Sequence, residues 1–195
     1  MSSRSLHASV ITSTVIGWVC LLVLLYLPNQ VKAEEFLISQ ADIQSKDAYY
    51  SLDADINFRF SETALEALRN GVPLTIELRA EILQRNTLIW NTTSASVVLR
   101  YQLRYHALAR LYQIIELENN VQRNYASMSA ALRALGQLRD LRLIEIERLD
   151  LSSSHIGRIK VILDIEALPL PLRPVAYLSP EWHLSSEWYR WDLEF

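Results

Sequence analysis

Asp53 and Asp55 are the two carboxylates whose spacing could support acid–base chemistry. They lie in a stretch that alternates apolar and polar residues, and in a strand both side chains would lie on one face, about 7 Å apart. Carboxylates at such a separation occur in glycoside hydrolysis and in cation binding. A hydrolase built on this pair would also need a histidine supplied by the fold. The simpler interpretation is a solvated strand face.

Three histidines, His106, His155 and His183, are the other candidate bases or metal ligands. Each stands alone in its segment, without the i, i+4 spacing of a helical metal site. His155 follows Ser152-Ser153-Ser154, but nothing resembles the Gly-x-Ser-x-Gly turn that positions a nucleophile. We therefore predict surface or interface histidines, a serine-rich hairpin turn, and neither a catalytic nor a metal site.

Arg100 and Arg104 share the polar face of another alternating stretch, with Gln102 between them. Such a stripe could bind carboxylates or phosphates of a partner. The alternative is pairing across strands with the chain's own glutamates, for instance Glu77 or Glu81. The arginines are accordingly a candidate partner or ligand surface.

Three tryptophans near the C-terminus, Trp182, Trp188 and Trp191, extend this candidate surface. Their rings could stack on sugars or anchor a partner, because aromatic residues are enriched at binding hot spots. Covering the open end of a sandwich core would explain them equally well.

Composition excludes several other kinds of chemistry. Cys20 is the only cysteine, so the chain after residue 33 has no disulfide, thiol nucleophile or cysteine-based zinc site. Only three glycines follow residue 33, which leaves no phosphate-binding loop. Without Arg4 and Lys32, 17 of the 19 Lys and Arg residues remain against 22 carboxylates, a net charge of −5 that disfavours phosphate-mediated binding of nucleic acid. We expect no cofactor.

The alternation of apolar and polar residues predicts a fold rich in strands. In Tyr50–Phe60 every even-numbered residue is apolar and every odd-numbered one polar, which indicates an antiparallel strand with one buried face. Further strands are predicted at Phe36–Gln44 (its partner), Leu74–Ile82, Val97–Tyr105, Leu108–Glu116, Val121–Tyr125, Leu141–Leu151, Ile156–Ala167 and Tyr189–Leu193, with a short piece at Leu88-Ile89-Trp90.

Two short helices interrupt the strands. Ser61 can cap the first, which ends at Asn70-Gly71, and Ser127 or Ser129 opens the second, which ends near Gly136–Leu138. Prolines at positions 169, 171 and 174 predict an extended surface or edge segment between the last strands. The predicted fold class is therefore mainly β, an antiparallel sandwich of immunoglobulin-like or similar type, with a layered α+β domain as the alternative.

The N-terminal region predicts export. Its apolar run, Val15–Leu27, is 13 residues long, whereas a helix needs about 20 to cross a bilayer, so the run is typical of a signal peptide. We place cleavage after Ala33, leaving a single periplasmic domain that begins at Glu34. The alternative is retention of residues 10–27 as an inner-membrane anchor. Cys20 lies inside the run, where it would not be lipidated.

Several short motifs point to one family. Arg123-Asn124-Tyr125, the helix Ala131–Gly136 and the three C-terminal tryptophans follow an export signal and alternating strands. In this order, residues 34–195 resemble the proteobacterial family catalogued as domain of unknown function 4390. The resemblance implies an exported protein with no assigned activity, often encoded beside a nitrogen-regulating two-component sensor kinase, and it provides no catalytic residue.

The leading functional hypothesis is a non-enzymatic periplasmic interaction module that contacts a membrane sensor or an envelope assembly. One rival is an envelope hydrolase that uses Asp53, Asp55 and a histidine. Another is a binder of a small apolar or glycan ligand, which would need a cavity lined by Tyr50, Phe58 and Tyr101. The expected partner is an envelope or membrane protein, and contact with the membrane is expected only if the N-terminal segment is retained.

Overall fold

The computed structural model describes residues 36–85, 90–150 and 152–193. The predicted signal or anchor, with Cys20 and the cleavage site Ala33/Glu34, lies outside these residues, as does the Leu88-Ile89 part of the short piece. Within the described residues, no helix combines the length and apolar character needed to span a bilayer.

In the part of the chain that the structure describes, nine strands form two antiparallel sheets that enclose the main hydrophobic core. The strands are β1 (Phe36–Lys46), β2 (Tyr49–Phe58), β3 (Leu74–Gln84), β4 (Thr92–His106), β5 (Leu111–Glu116), β6 (Val121–Tyr125), β7 (Gln137–Glu145), β8 (His155–Leu163) and β9 (Tyr189–Leu193). The small sheet has the order β1-β2-β7 and the large sheet the order β6-β5-β4-β3-β8-β9. The mainly β, sandwich-like fold class is confirmed.

Strand β2 forms as its alternation predicts. Leu52, Ala54 and Ile56 are buried, whereas Asn57 on the other face is exposed. β1 pairs with it in antiparallel register, as predicted, with Phe36 opposite Phe58. Burial of one face every second residue is what fixes this register, because a slip by one residue would expose the whole apolar set.

Both predicted helices are present. Helix α1 (Glu62–Arg69) is capped by the Ser61 side chain, which accepts a hydrogen bond from the Ala64 amide at 3.2 Å. Helix α2 (Met128–Gly136) is capped in the same way by Ser127, which accepts from Ala130 at 3.2 Å. These caps satisfy amides that have no partner within the helix.

The proline-rich segment is helical, so the expectation of an extended segment there was wrong. A 3₁₀ turn, Leu170–Leu172, leads into helix α3 (Arg173–Leu178). Pro174 lies in the first turn of α3, where proline loses no helical hydrogen bond and its fixed φ suits the helix. Further 3₁₀ turns are Ile146–Arg148, Ile165–Ala167 and Pro180–Trp182.

The serine-rich turn is not a hairpin, because the strands on either side of it belong to different sheets. β7 pairs with β2, whereas β8 pairs with β3. The connection is instead held by Asp150, whose carboxylate accepts hydrogen bonds from the Ser152 and Ser153 hydroxyls at 2.6 and 2.8 Å. Local sequence predicts a turn here but carries no information about which sheet the next strand joins.

The two ends of the sandwich differ in what covers the core. At one end, the Phe36 end, Phe36 packs edge-on against Phe58 and Phe60 with ring centroids 5.0 and 5.2 Å apart, and Ser61 donates a hydrogen bond to the Glu181 carbonyl at 2.7 Å. At the other, the Tyr50 end, a smaller cluster joins Tyr50, Ile82 and Leu149.

Candidate binding cleft

A cleft of about 430 Å³ opens where the large sheet extends beyond the small one. One wall is the inner face of β4, β5 and β6, and the other is formed by α2 and β7. We call it the β4–β7 cleft. Its lining residues are Leu99, Tyr101, Ile114, Glu116, Val121, Arg123, Tyr125, Ala134, Leu135, Gln137, Leu138, Arg139, Asp140 and Leu141.

The antiparallel register places charged groups among apolar ones on the large-sheet wall. Tyr101 lies opposite Glu116, which lies opposite Val121. In the next row Ile114 lies opposite Arg123. Since residues two apart share a face, these side chains all face the cleft. The wall therefore offers an apolar surface with one carboxylate and one guanidinium.

The opposite wall runs along the edge of β7. Five consecutive residues, 137–141, line the cleft, although successive side chains of a strand point to opposite faces. The cavity therefore runs along the strand, and β7 is an edge strand of the small sheet. The cleft is therefore bordered by an edge whose backbone groups can pair with another extended segment.

A bulge shapes this edge. Arg139 and Asp140 together lie opposite the single residue Asp53, and Asp140 has a positive φ of 55°. The Asp53 carboxylate accepts a hydrogen bond from the Asp140 amide at 2.8 Å, and Asp55 pairs with the Arg139 guanidinium at 2.5 Å. The predicted aspartate pair thus supports the bulge. Bulges bend a strand and limit uncontrolled pairing between copies.

Charges in the cleft are not all neutralised. Among the described residues, neither Glu116 nor Arg123 makes an ion pair, whereas Arg139 and Asp140 are paired, the latter with Lys46 at 2.8 Å. The hydrogen bond from Lys46 lowers the pKa of Asp140, which keeps this carboxylate ionised. Glu116 and Arg123 therefore remain available to charged groups of a ligand.

Tyr101 lies on the same wall with its phenol partly buried. Burial raises the pKa of Tyr101 to about 12, helped by the carboxylates of Glu116 and Glu118 and opposed by Arg123. The folded protein thus favours the neutral phenol, and the unfolded chain releases this proton first. The raised pKa of Tyr101 therefore adds to the free energy of unfolding. This contribution is fully present below about pH 10 and is lost as the pH rises toward the folded-state pKa.

We expect the Tyr101→Phe variant to lose less stability than the wild type between about pH 10 and pH 12. The measurement is the free energy of unfolding in urea at a series of alkaline pH values. Tyr177→Phe, at a more exposed phenol, is the control and should follow the wild type. Parallel pH profiles for wild type and Tyr101→Phe would contradict the burial of this phenol.

The predicted arginine stripe lies on the outer face of the large sheet, outside the β4–β7 cleft. Arg100 pairs with Glu77 at 3.2 Å, and Glu77 also binds Arg79 at 2.8 Å. Arg104 donates a hydrogen bond to the Gln102 side chain at 2.6 Å. For Arg100, the structure has the cross-strand pairing with Glu77 that was the alternative to partner binding.

The three tryptophans lie in three different environments. Trp182 belongs to the core, with 4% of its surface exposed, so it offers almost no area to a partner. Trp188 stacks over the Arg158 guanidinium, 4.3 Å from its ring centroid. Trp191 covers Gly157, where a Cβ would lie 2.4 Å from the indole ring. They form no common patch, so their shared role as a partner surface has no geometric support.

The structure does not assemble the aspartates with a histidine. The cleft beside Asp55 is lined by parts of β1, β2 and α2 and contains no histidine. His106 is exposed near Gln113 at 3.1 Å, His155 is buried in β8, and His183 is exposed in the loop before β9. The arrangement that the hydrolase hypothesis required is absent from this cleft.

Tyr50, Phe58 and Tyr101 do not share a cavity either. Tyr50 belongs to the small cluster with Leu149, Phe58 packs at the opposite end, and only Tyr101 lines the β4–β7 cleft. The ligand cavity between the sheets that these residues were predicted to form is therefore not present at that position.

The sequence analysis did not predict the cleft, although the residue pattern of β5 and β6 contains a signal for it. Tyr112, Ile114 and Glu116 alternate along β5, so Glu116 occupies an inward position, and Arg123 does the same in β6. A charged residue at an inward position indicates either a buried pair or an opening in the core. Distinguishing them needs the position of β7, which comes from the opposite sheet.

The fold and this site define the class of protein: an antiparallel β-sandwich with an open, mixed-charge cleft along a strand edge. Within the described ranges, no three histidine, cysteine or carboxylate side chains are placed to hold a metal ion. The chain belongs to the family described as domain of unknown function (DUF4390), whose model matches residues 33–192. Comparisons with curated proteins and with solved structures found no match. The family resemblance drawn from the motifs is confirmed.

Proposed function

We propose that this chain is an exported, non-enzymatic interaction domain that binds an extended segment of an envelope protein in the β4–β7 cleft. The observation that carries the proposal is the course of the cleft along five consecutive residues of the β7 edge. An open edge supplies unpaired backbone donors and acceptors to an added strand, here on either side of the bulge at Arg139 and Asp140, and adjacent pockets give the specificity.

The chemistry of the cleft fits such a partner. Leu99, Ile114 and Leu138 offer apolar contacts to alternate side chains of an extended segment. On the facing wall, the unpaired Arg123 favours an anionic group of the partner and the unpaired Glu116 favours a cationic one. Such charge complementarity contributes specificity more than affinity. A volume of about 430 Å³ accommodates a few side chains and not a whole domain.

The location of the two aspartates supports a role without catalysis. Asp53 accepts a hydrogen bond from the Asp140 amide, and Asp55 pairs with the Arg139 guanidinium. Both carboxylates therefore stabilise the bulge. The sequence features of the N-terminal region support export. The family resemblance supports a membrane sensor as the partner, and an envelope assembly is the alternative. The mass of the N-terminal peptide of the exported chain tests whether cleavage follows Ala33.

Site-specific crosslinking in the native cell envelope tests the cleft. We expect a photoreactive residue at position 121, which is 41% exposed in the cleft, to give a discrete adduct with one protein. The matched control is position 117, which is 43% exposed in the turn outside the cleft and should give no such adduct.

A variant that fills the cleft provides the second arm of this test. Ala134→Trp should abolish the adduct from position 121 because the indole would occupy the space between α2 and β5. Ala126→Trp, on the exposed turn before α2, should leave it intact. Equal adducts from positions 117 and 121, or an adduct that persists in folded Ala134→Trp, would refute the proposed site.

A further inference from the structure

The segment 168–178 exposes an apolar surface at the Phe36 end of the sandwich. Leu170, Val175 and Leu178 are 72, 60 and 86% exposed, and Tyr177 lies beside them at 49%. We call these four residues the apolar patch. Large aliphatic side chains that remain exposed within a few residues of each other are characteristic of interaction surfaces.

The patch is held on a firm base. Ala176 and Leu168 are buried with 0 and 1% of their surfaces exposed, and they fix α3 and the turn before it to the core. The Arg173 guanidinium donates a hydrogen bond to the Leu168 carbonyl at 2.8 Å. The segment is therefore anchored to the core by its buried residues, and this anchoring holds the exposed leucines toward solvent.

The apolar surface continues into a neighbouring groove. A cavity of about 410 Å³ between α1 and α3 is lined by apolar side chains that include Ala67, Val72, Leu172 and Trp182, and Val175 belongs to both features. The groove is also bordered by the Glu66 carboxylate, whereas the four residues of the patch carry no charge. Arg173 is the only charged residue from 168 to 178, and it pairs with Glu166 at 3.5 Å.

We propose that the apolar patch contacts the headgroup and upper acyl region of a lipid bilayer. The proposal rests on the envelope location proposed above and is independent of the β4–β7 cleft. Exposed leucines with a tyrosine at their border and a neutralised charge match what an interfacial membrane contact requires. Because free cations are lacking at the patch, the attraction is apolar and not electrostatic.

The chain's own connectivity favours a bilayer over other occupants. Phe36, the first described residue, lies at the same end as the patch, through Phe60, Ser61 and the Ser61–Glu181 hydrogen bond. Eight residues, positions 28–35, lie between Leu27, where the apolar run ends, and Phe36, and a chain of this length spans at most about 30 Å. A run inserted in a membrane, whether before cleavage or as a retained anchor, is thus tethered to the end that carries the patch.

Depth-dependent quenching tests this contact. The full-length chain, with Cys20→Ser and one introduced cysteine carrying a fluorophore, is reconstituted in phosphatidylcholine vesicles that contain a lipid with a nitroxide near the headgroup. We expect strong quenching of a label at Val175→Cys and none at Glu147→Cys, which is exposed at the Tyr50 end. Because tethering at the Phe36 end would by itself bring position 175 nearer the bilayer than position 147, the contact of the patch is separated from tethering by the substitutions below, which leave the tether unchanged.

Matched substitutions separate the patch from general adsorption. Leu170→Glu combined with Leu178→Glu should reduce the quenching at position 175 several-fold, because both side chains are exposed and their replacement leaves the fold intact. Leu117→Glu, on a turn outside the patch, should leave the quenching unchanged. Quenching at 175 that does not exceed that at 147, or that survives the double substitution, would overturn the proposal and leave a protein surface as the occupant.

Discussion

Replacing Ile56 with aspartate is expected to unfold the domain. Ile56 is 8% exposed on the inner face of β2, so the change removes about 1.5–3 kcal/mol of apolar burial. It also forces a carboxylate without a cationic partner into the core, at a further cost of several kcal/mol. Together these terms approach the whole stability of a typical domain, about 5–15 kcal/mol.

The measurement is circular dichroism and urea denaturation of the purified variant, which should show no cooperative transition. Asn57→Asp is the matched control, since it introduces the same side chain one residue further on at an exposed position. We expect it to change the free energy of unfolding by less than about 0.5 kcal/mol. A folded Ile56→Asp variant would show that the inner face of β2 has been assigned incorrectly.

The success of the sequence analysis at β2 has a physical basis. One face of the strand packs on the core and the other faces solvent. Apolar and polar residues therefore alternate with a period of two over residues 50–58. The helix caps Ser61 and Ser127 were equally predictable, because a cap needs only the side chain and the backbone of the next turn. Each of these features is determined by neighbours within a few residues.

The features that the sequence did not reveal depend on distant parts of the chain. Thr75 and Glu77 in β3 look like solvent-facing residues, yet they are 1 and 7% exposed, and Glu77 shares an outer-face cavity with Trp188. To predict the β4–β7 cleft, one must know that β7 pairs with β2 and not with β8. Alternation identifies strands, but sheet order arises from packing between the sheets, and the candidate site lies where that packing is incomplete.

Gly136→Ala is the second change for which we expect a large effect. The sign of the change in the free energy of unfolding shows whether α2 lies as close to β2 as the structure has it. In an exposed helix, replacing glycine with alanine stabilises by about 0.5–1 kcal/mol. At Gly136, however, a Cβ would lie 2.1 Å from the Ile56 carbonyl oxygen, which is backbone and cannot rotate away. Helix α2 would have to move outward from β2, and we expect a loss of about 3 kcal/mol in the free energy of unfolding.

Urea denaturation measures this loss, and Gly157→Ala provides the graded comparison. At Gly157 the clash is with the Trp191 indole at 2.4 Å, a side chain that can shift, so the loss should be smaller and accompanied by a change in tryptophan fluorescence. An unchanged or increased stability of Gly136→Ala would show that α2 does not approach β2 as closely as described.

The same substitution links the fold to the proposed site. Helix α2 contributes Ala134 and Leu135 to the wall of the β4–β7 cleft, and Gly136 fixes that wall against β2 by permitting the close approach to Ile56. If Gly136→Ala remains folded under native conditions, its cleft should still be displaced. We therefore expect the crosslink from position 121 to weaken in this variant, while Gly157→Ala, whose clash lies on the β8–β9 side of the large sheet, should retain it.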